Sequence, residues 1–139
     1  MKARLKLEKG MKLVGYNEKN LPTYFDTHPE FGGEDSAPTP MEVVLRSLAG
    51  CTAMDILSML RKRKKTVSAL EIFLDGDRST EHPKAFTKVT LMFHLVSEDT
   101  SDDELKNIIS LSQDRYCSVA AMFKKSGCEV LWDFKIFKP

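Results

Sequence analysis

Over residues 3–16 apolar and charged positions alternate. Ala3, Leu5 and Leu7 share one face, and Arg4, Lys6 and Glu8 share the other. This period of two predicts a hairpin with one wet face, turned at Gly10, and a short third strand follows over residues 23–27. Residues 29–40 hold three prolines and two glycines and predict a long loop of the kind that often carries function. Thr39 as cap, Pro40 at the first helical position and Glu42 at the third open a helix over Pro40–Lys62. Two strands are predicted over residues 68–78 and 85–96. Acidic residues from Asp102 open a second helix, a short third spans residues 117–125 before Gly127, and a last strand covers 128–137. The order β-β-β-α-β-β-α-α-β, with no linker or repeat, predicts one domain over residues 1–139 of α+β class with antiparallel sheets.

The central helix is apolar around most of its circumference, from Val43 and Leu45 through Ala49, Cys51, Met54 and Leu57 to Leu60. A helix of that kind belongs in the middle of a packed structure. A chain of 139 residues has little else with which to surround it, so a homodimer pairing two such helices is expected. Glu42, Arg46 and Asp55 within the same stretch argue against a membrane span.

Composition narrows the class of function. Lys and Arg total 21 and Asp and Glu 20, a net charge of +1. That balance disfavours a dedicated binder of nucleic acid, although the basic run Arg61-Lys62-Arg63-Lys64-Lys65 keeps that class open. Three cysteines without an apolar leader do not make a secreted disulfide framework and imply a reducing, cytoplasmic compartment. The spacing of the cysteines and of His28, His82 and His94 forms no metal-ligating motif, and the two glycines at 32 and 33 lack the lysine of a phosphate loop.

The thiols remain the candidate chemistry. Cys51 lies mid-helix between Gly50 and Thr52, where small neighbours leave a reagent room to approach, although a buried thiol also packs as a small hydrophobe. Cys117 opens a helix, where backbone N–H groups and the helix dipole are expected to lower its pKa, with Arg115 nearby. Cys128 falls on the same strand face as Val130 and Trp132 and is read as structural.

The segment from Pro38 to Asp55, PTPMEVVLRSLAGCTAMD, resembles the cysteine helix of the OsmC/Ohr family. Residues 112–119, SQDRYCSV, resemble that family's second cysteine site, and residues 81–89, EHPKAFTKV, look like the hairpin of one OsmC-like branch. The resemblance implies an intertwined homodimer whose antiparallel sheets wrap long central helices. It also implies reduction of organic hydroperoxides in oxidative-stress defence. Cys51 would be the attacking thiol, Cys117 the resolving one, and a lipoyl-type dithiol the reductant, with no cofactor. Glu42 is the candidate third catalytic residue, although peroxidase members carry glutamate one place earlier, where Met41 stands here. The arginine those members carry before the helix has no counterpart between Tyr16 and Glu42. Arg4 and Arg115 are substitutes by charge alone. Asp55, one helical turn after Cys51, would oppose a thiolate unless paired with a cation. A dimeric binding protein for a hydrophobic or thiol ligand is therefore the competing expectation.

Overall fold

The helix start written into Thr39 and Pro40 forms as the sequence dictates. In the computed structural model, which describes residues 1–139, α1 spans Pro40–Lys62. The Glu42 carboxylate accepts from the Thr39 N–H at 2.7 Å and the Thr39 hydroxyl accepts from the Glu42 N–H at 3.4 Å. This reciprocal cap satisfies donors that a helix end otherwise leaves unpaired. By internal contacts the chain divides into two compact units, Met1–Val44 and Leu45–Pro139.

The first unit is an antiparallel meander of β1 (Ala3–Lys9), β2 (Lys12–Asn17) and β3 (Pro22–Phe25). Gly10 turns the hairpin with φ of +59°, a conformation glycine adopts at little cost. The expected single wet face is not what β1 shows. Leu5 and Leu7 are exposed along with their charged neighbours. Beyond β3 the loop is organised by buried Asp26, whose carboxylate accepts from the N–H groups of Thr27, Glu34 and Ser36 and from the Ser36 hydroxyl at 2.6 Å. The Ser36 hydroxyl first, then the backbone donors, hold this carboxyl well below the usual carboxylate range. A Cβ on Gly33 would stand 1.9 Å from the Thr27 carbonyl oxygen, so only glycine fits that turn. Asp35 pairs with His28 at 2.6 Å and raises its pKa, with smaller contributions from the charges of Glu42 and Glu30.

The second unit carries β4 (Ala69–Arg78), β5 (Phe86–Val96), α2 (Asp102–Leu111), α3 (Ser118–Lys125) and β6 (Glu129–Phe137). Central β5 pairs antiparallel with β4 and parallel with β6, Leu91 facing Trp132 and Phe93 facing Phe134. The expectation of wholly antiparallel sheets is thus corrected. The two helices between β5 and β6 form a crossover long enough to return the chain in the same direction, and parallel pairing requires such a crossover. Alternate residues of β5, Val89, Leu91, Phe93 and Leu95, are fully buried. They share one core with Leu48, Ile56 and Leu60 of α1, Leu105, Ile108 and Ile109 of α2, and Ala120 and Phe123 of α3.

The stripe of α1 inside this core is narrow: Leu48, Thr52, Ile56 and Leu60, one residue per turn. Val44, Met54 and Leu57 remain 43%, 73% and 41% exposed, so the single chain leaves much of the helix's apolar surface uncovered. By length and composition alone α1 would also suit a membrane span.

Phe93 is the largest of the fully buried side chains. Phe93→Ala is expected to lower stability by about 3–5 kcal/mol, from lost transfer energy and the cavity left behind. Urea unfolding monitored by circular dichroism checks this, and a midpoint equal to the parent's would contradict the assignment of the core.

Candidate functional site

Cys51 lies midway along α1, beside the buried stripe. It is half-buried, and a Cβ added to neighbouring Gly50 would meet nothing within 4 Å. The helix surface is therefore open at Gly50, one position before the cysteine.

Cys117 reaches the same place through a turn that the sequence does not announce. After α2 the chain makes a wide π-helical turn over Ser112–Tyr116, closed by the Cys117 N–H on the Ser112 carbonyl at 2.8 Å. Single π turns of this kind recur at functional sites. This one buries Ser112, Gln113 and Cys117 while Asp114, Arg115 and Tyr116 stay exposed. Lys124 braces it, donating to the Gln113 carbonyl at 2.7 Å and pairing with Asp114 at 3.2 Å. Cys117 then caps α3, its sulfur accepting from the Ala120 N–H at 3.3 Å.

The result is a cluster in which Cys51 Sγ, Cys117 Sγ and an Asp55 carboxylate oxygen all lie within 4.8 Å of one another. The Ser112 hydroxyl donates to Asp55 at 2.8 Å. Gln113 Nε2 donates to Thr52 Oγ1 at 2.8 Å, and the Thr52 hydroxyl stands 3.0 Å from the Leu48 carbonyl and 3.5 Å from Cys117 Sγ. That hydroxyl has one proton to give, so it serves either the helix carbonyl or the sulfur. Gln113 Oε1 is buried without a hydrogen-bond partner.

The expected lowering of the Cys117 pKa is corrected. Burial, then the adjacent Cys51, push this thiol up, and the Thr52 hydroxyl and the Ala120 N–H only partly oppose them. Removing a nearly buried sulfur from water outweighs one helix-end donor. The Arg115 guanidinium lies over the Tyr116 ring at 5.6 Å. Cys128 is buried and its thiol is raised by burial, as a structural cysteine should be. Glu42 serves the α1 cap, and Arg4 lies over the Tyr16 ring at 4.5 Å. Lys65 of the basic run is tied to Glu104 at 2.9 Å and to the Asp99 carbonyl. His94 sits between the rings of Phe73 and Phe137.

Spacing finds no ligand set here because the donors come from elements far apart in the chain. Thr52 and Gln113 were missed for the same reason, although Thr52 left a trace: it is the polar residue in a stripe otherwise of Leu48, Ile56 and Leu60.

Comparison with known proteins agrees with this architecture. The family model described as OsmC-like protein matches residues 33–132. Protein YhfA of Escherichia coli is 34% identical over 126 residues, 91% of each chain. A crystal structure of a hypothetical protein from Aquifex aeolicus superposes with a TM-score of 0.85 at 25% identity, covering 99% of this chain and 96% of that one. An organic hydroperoxide resistance protein OsmC from Legionella pneumophila shares the fold, with a TM-score of 0.70 at 15% identity over 97% of both chains.

Peptide-resolved alkylation across pH is expected to place the Cys117 midpoint above that of an ordinary thiol. Thr52→Val, which removes a donor to the sulfur, should move it higher still. A midpoint below the ordinary value, or one that falls in the variant, would contradict the electrostatics described.

Proposed function

Because the chain belongs to the OsmC-like protein family, we propose that its paired cysteines reduce organic hydroperoxides at the expense of a dithiol. The observation that carries this proposal is the unequal exposure of two adjacent sulfurs. Cys51 is half-buried, whereas Cys117 is 3% exposed and held toward its protonated form. An incoming peroxide can reach the first sulfur, while the second waits behind it.

The chemistry follows from that order. The Cys51 thiolate attacks one peroxide oxygen, the O–O bond breaks, and the leaving alkoxide takes a proton and departs as an alcohol. Cys51 is left as a sulfenic acid. The Cys117 sulfur attacks the Cys51 sulfur, and the hydroxyl leaves with the Cys117 proton as water, so a disulfide remains. A lipoyl-type dithiol restores both thiols by two exchange steps and leaves as its own disulfide. The raised pKa of Cys117 suits this sequence, since it keeps the resolving proton in place until the sulfenic acid forms. Thr52 reaches the Cys117 sulfur, while Ser112 and Gln113 tie the turn that carries Cys117 to Asp55 and Thr52 of α1. A reducing, cytoplasmic setting would keep the pair ready.

The working form in this proposal is an intertwined homodimer, one OsmC-like domain per chain. Exposed Met54 and Leu57 of α1 and Leu7 of β1 are apolar surface that a second copy would cover. Sedimentation should give twice the 15.8 kDa chain mass, and a monomer would remove this part of the proposal.

Asp55 beside both sulfurs, and the lack of arginine between Tyr16 and Glu42, favour a second reading. In it the dimer binds a hydrophobic or thiol ligand and turns over peroxide slowly. A groove of about 500 Å³ lined by Leu5, Leu21, Phe25 and Val43 offers apolar surface for such a ligand.

Hydroperoxide consumption with dihydrolipoamide separates the two. Under the first reading the parent turns over rapidly and Cys51→Ser falls to background, while Cys128→Ser keeps its rate. Undiminished turnover in Cys51→Ser would overturn the peroxidase reading. Slow parental turnover with a ligand retained through purification would favour the second.

A further inference from the structure

The donors that converge on the thiol pair have the composition of a metal centre. Cys51 Sγ, Cys117 Sγ and an Asp55 oxygen lie within 4.8 Å of one another. Zinc takes thiolate at about 2.3 Å and carboxylate at about 2.0–2.2 Å, so the ligand atoms of one tetrahedral ion stand roughly 3.3–3.8 Å apart. The bound of 4.8 Å exceeds that separation by about 1–1.5 Å, which the ligands would close on binding. Two thiolates with one carboxylate suit a borderline-soft ion and do not suit magnesium or calcium, which take oxygen ligands.

The surroundings fit as well. Asp55 is already oriented by the Ser112 hydroxyl at 2.8 Å, the outer contact that fixes a ligating carboxylate. The Cys117 sulfur receives the Ala120 N–H at 3.3 Å, a donor that steadies a metal-bound thiolate. Gln113, 3% exposed, keeps a buried carbonyl oxygen without a partner. Its amide nitrogen is one hydrogen bond from Thr52, which stands 3.5 Å from Cys117 Sγ. An ion with three protein ligands carries water in the fourth position, and the unpaired Gln113 oxygen is a buried acceptor on the turn that carries Cys117.

We propose that the reduced chain binds one thiophilic divalent cation of the zinc type through Cys51, Cys117 and Asp55, with the fourth coordination position open. Binding forms two metal–sulfur bonds and breaks two S–H bonds, and both protons go to solvent. One dication replaces two protons, so the net charge of the cluster is unchanged and a half-buried site tolerates the exchange. Affinity therefore rises with pH. Oxidation to a disulfide removes both thiolates and releases the ion. If the peroxidase reading holds, the ion and the peroxide compete for the Cys51 sulfur, and metal loading protects the pair from oxidation.

Cobalt(II) added to the reduced full-length protein under anaerobic conditions tests this. The expected result is one ion per chain with near-ultraviolet thiolate-to-cobalt absorption, displaced by zinc. Cys128→Ser should keep that absorption, Cys51→Ser and Cys117→Ser should each weaken or abolish it, and Asp55→Asn should raise the dissociation constant at least tenfold. The parent oxidised to its internal disulfide is the folded control and should give none. Absence of the absorption in the reduced parent, or its undiminished survival in Cys117→Ser, would overturn the proposal. Hydroperoxide turnover measured on metal-free protein reports separately on the peroxidase reading, which stands or falls without the cobalt result.

Discussion

The middle of α1 meets the wide turn after α2 through a short polar chain inside an apolar core. Gln113 donates to Thr52, and Thr52 reaches the Cys117 sulfur. Hydrogen bonds made in a place of low dielectric are strong, so this chain ties the turn to the helix, although it leaves the Gln113 carbonyl oxygen unpaired. Ser112 adds a second tie through Asp55. Cys51 and Cys117 lie on separate elements 66 positions apart, which these contacts bring together. With them, an accessible cysteine and a sheltered one share a single small volume.

The differences between the two sulfurs follow from their elements. Cys51 sits at the edge of the α1 stripe and is half-buried. Cys117 is carried inward by the π turn and capped by Ala120, and its burial outweighs the help of the helix end. The division of labour proposed for the two thiols therefore needs no difference in covalent chemistry. Exposure and desolvation suffice.

Much of this was legible in the sequence because it is local. Thr39, Pro40 and Glu42 define the start of α1 through their own hydrogen bonds, and the alternation over residues 129–137 is a strand whatever it pairs with. The direction of β6 was not legible, since parallel pairing with β5 depends on how a crossover of two helices returns across the core. The exposure of Leu5 and Leu7 was missed because alternation reports a potential buried face and is silent about what covers it. The site divides along the same line. Small residues around Cys51 were a local signal, whereas the approach of Asp55 and Cys117 is a property of tertiary packing. The sign of the Cys117 shift was misjudged for a related reason: a helix end is visible in sequence, and the desolvation that overrides it is not.

Adjacency of the two sulfurs is most directly tested by mapping the product of mild oxidation. Reduced protein treated with one equivalent of an organic hydroperoxide should lose two hydrogens per chain by intact mass. Non-reducing digestion should then join the peptide of Cys51 to that of Cys117 and leave Cys128 free. A bridge to Cys128, or a sulfenic or sulfinic acid on Cys51 with Cys117 still a thiol, would contradict the account.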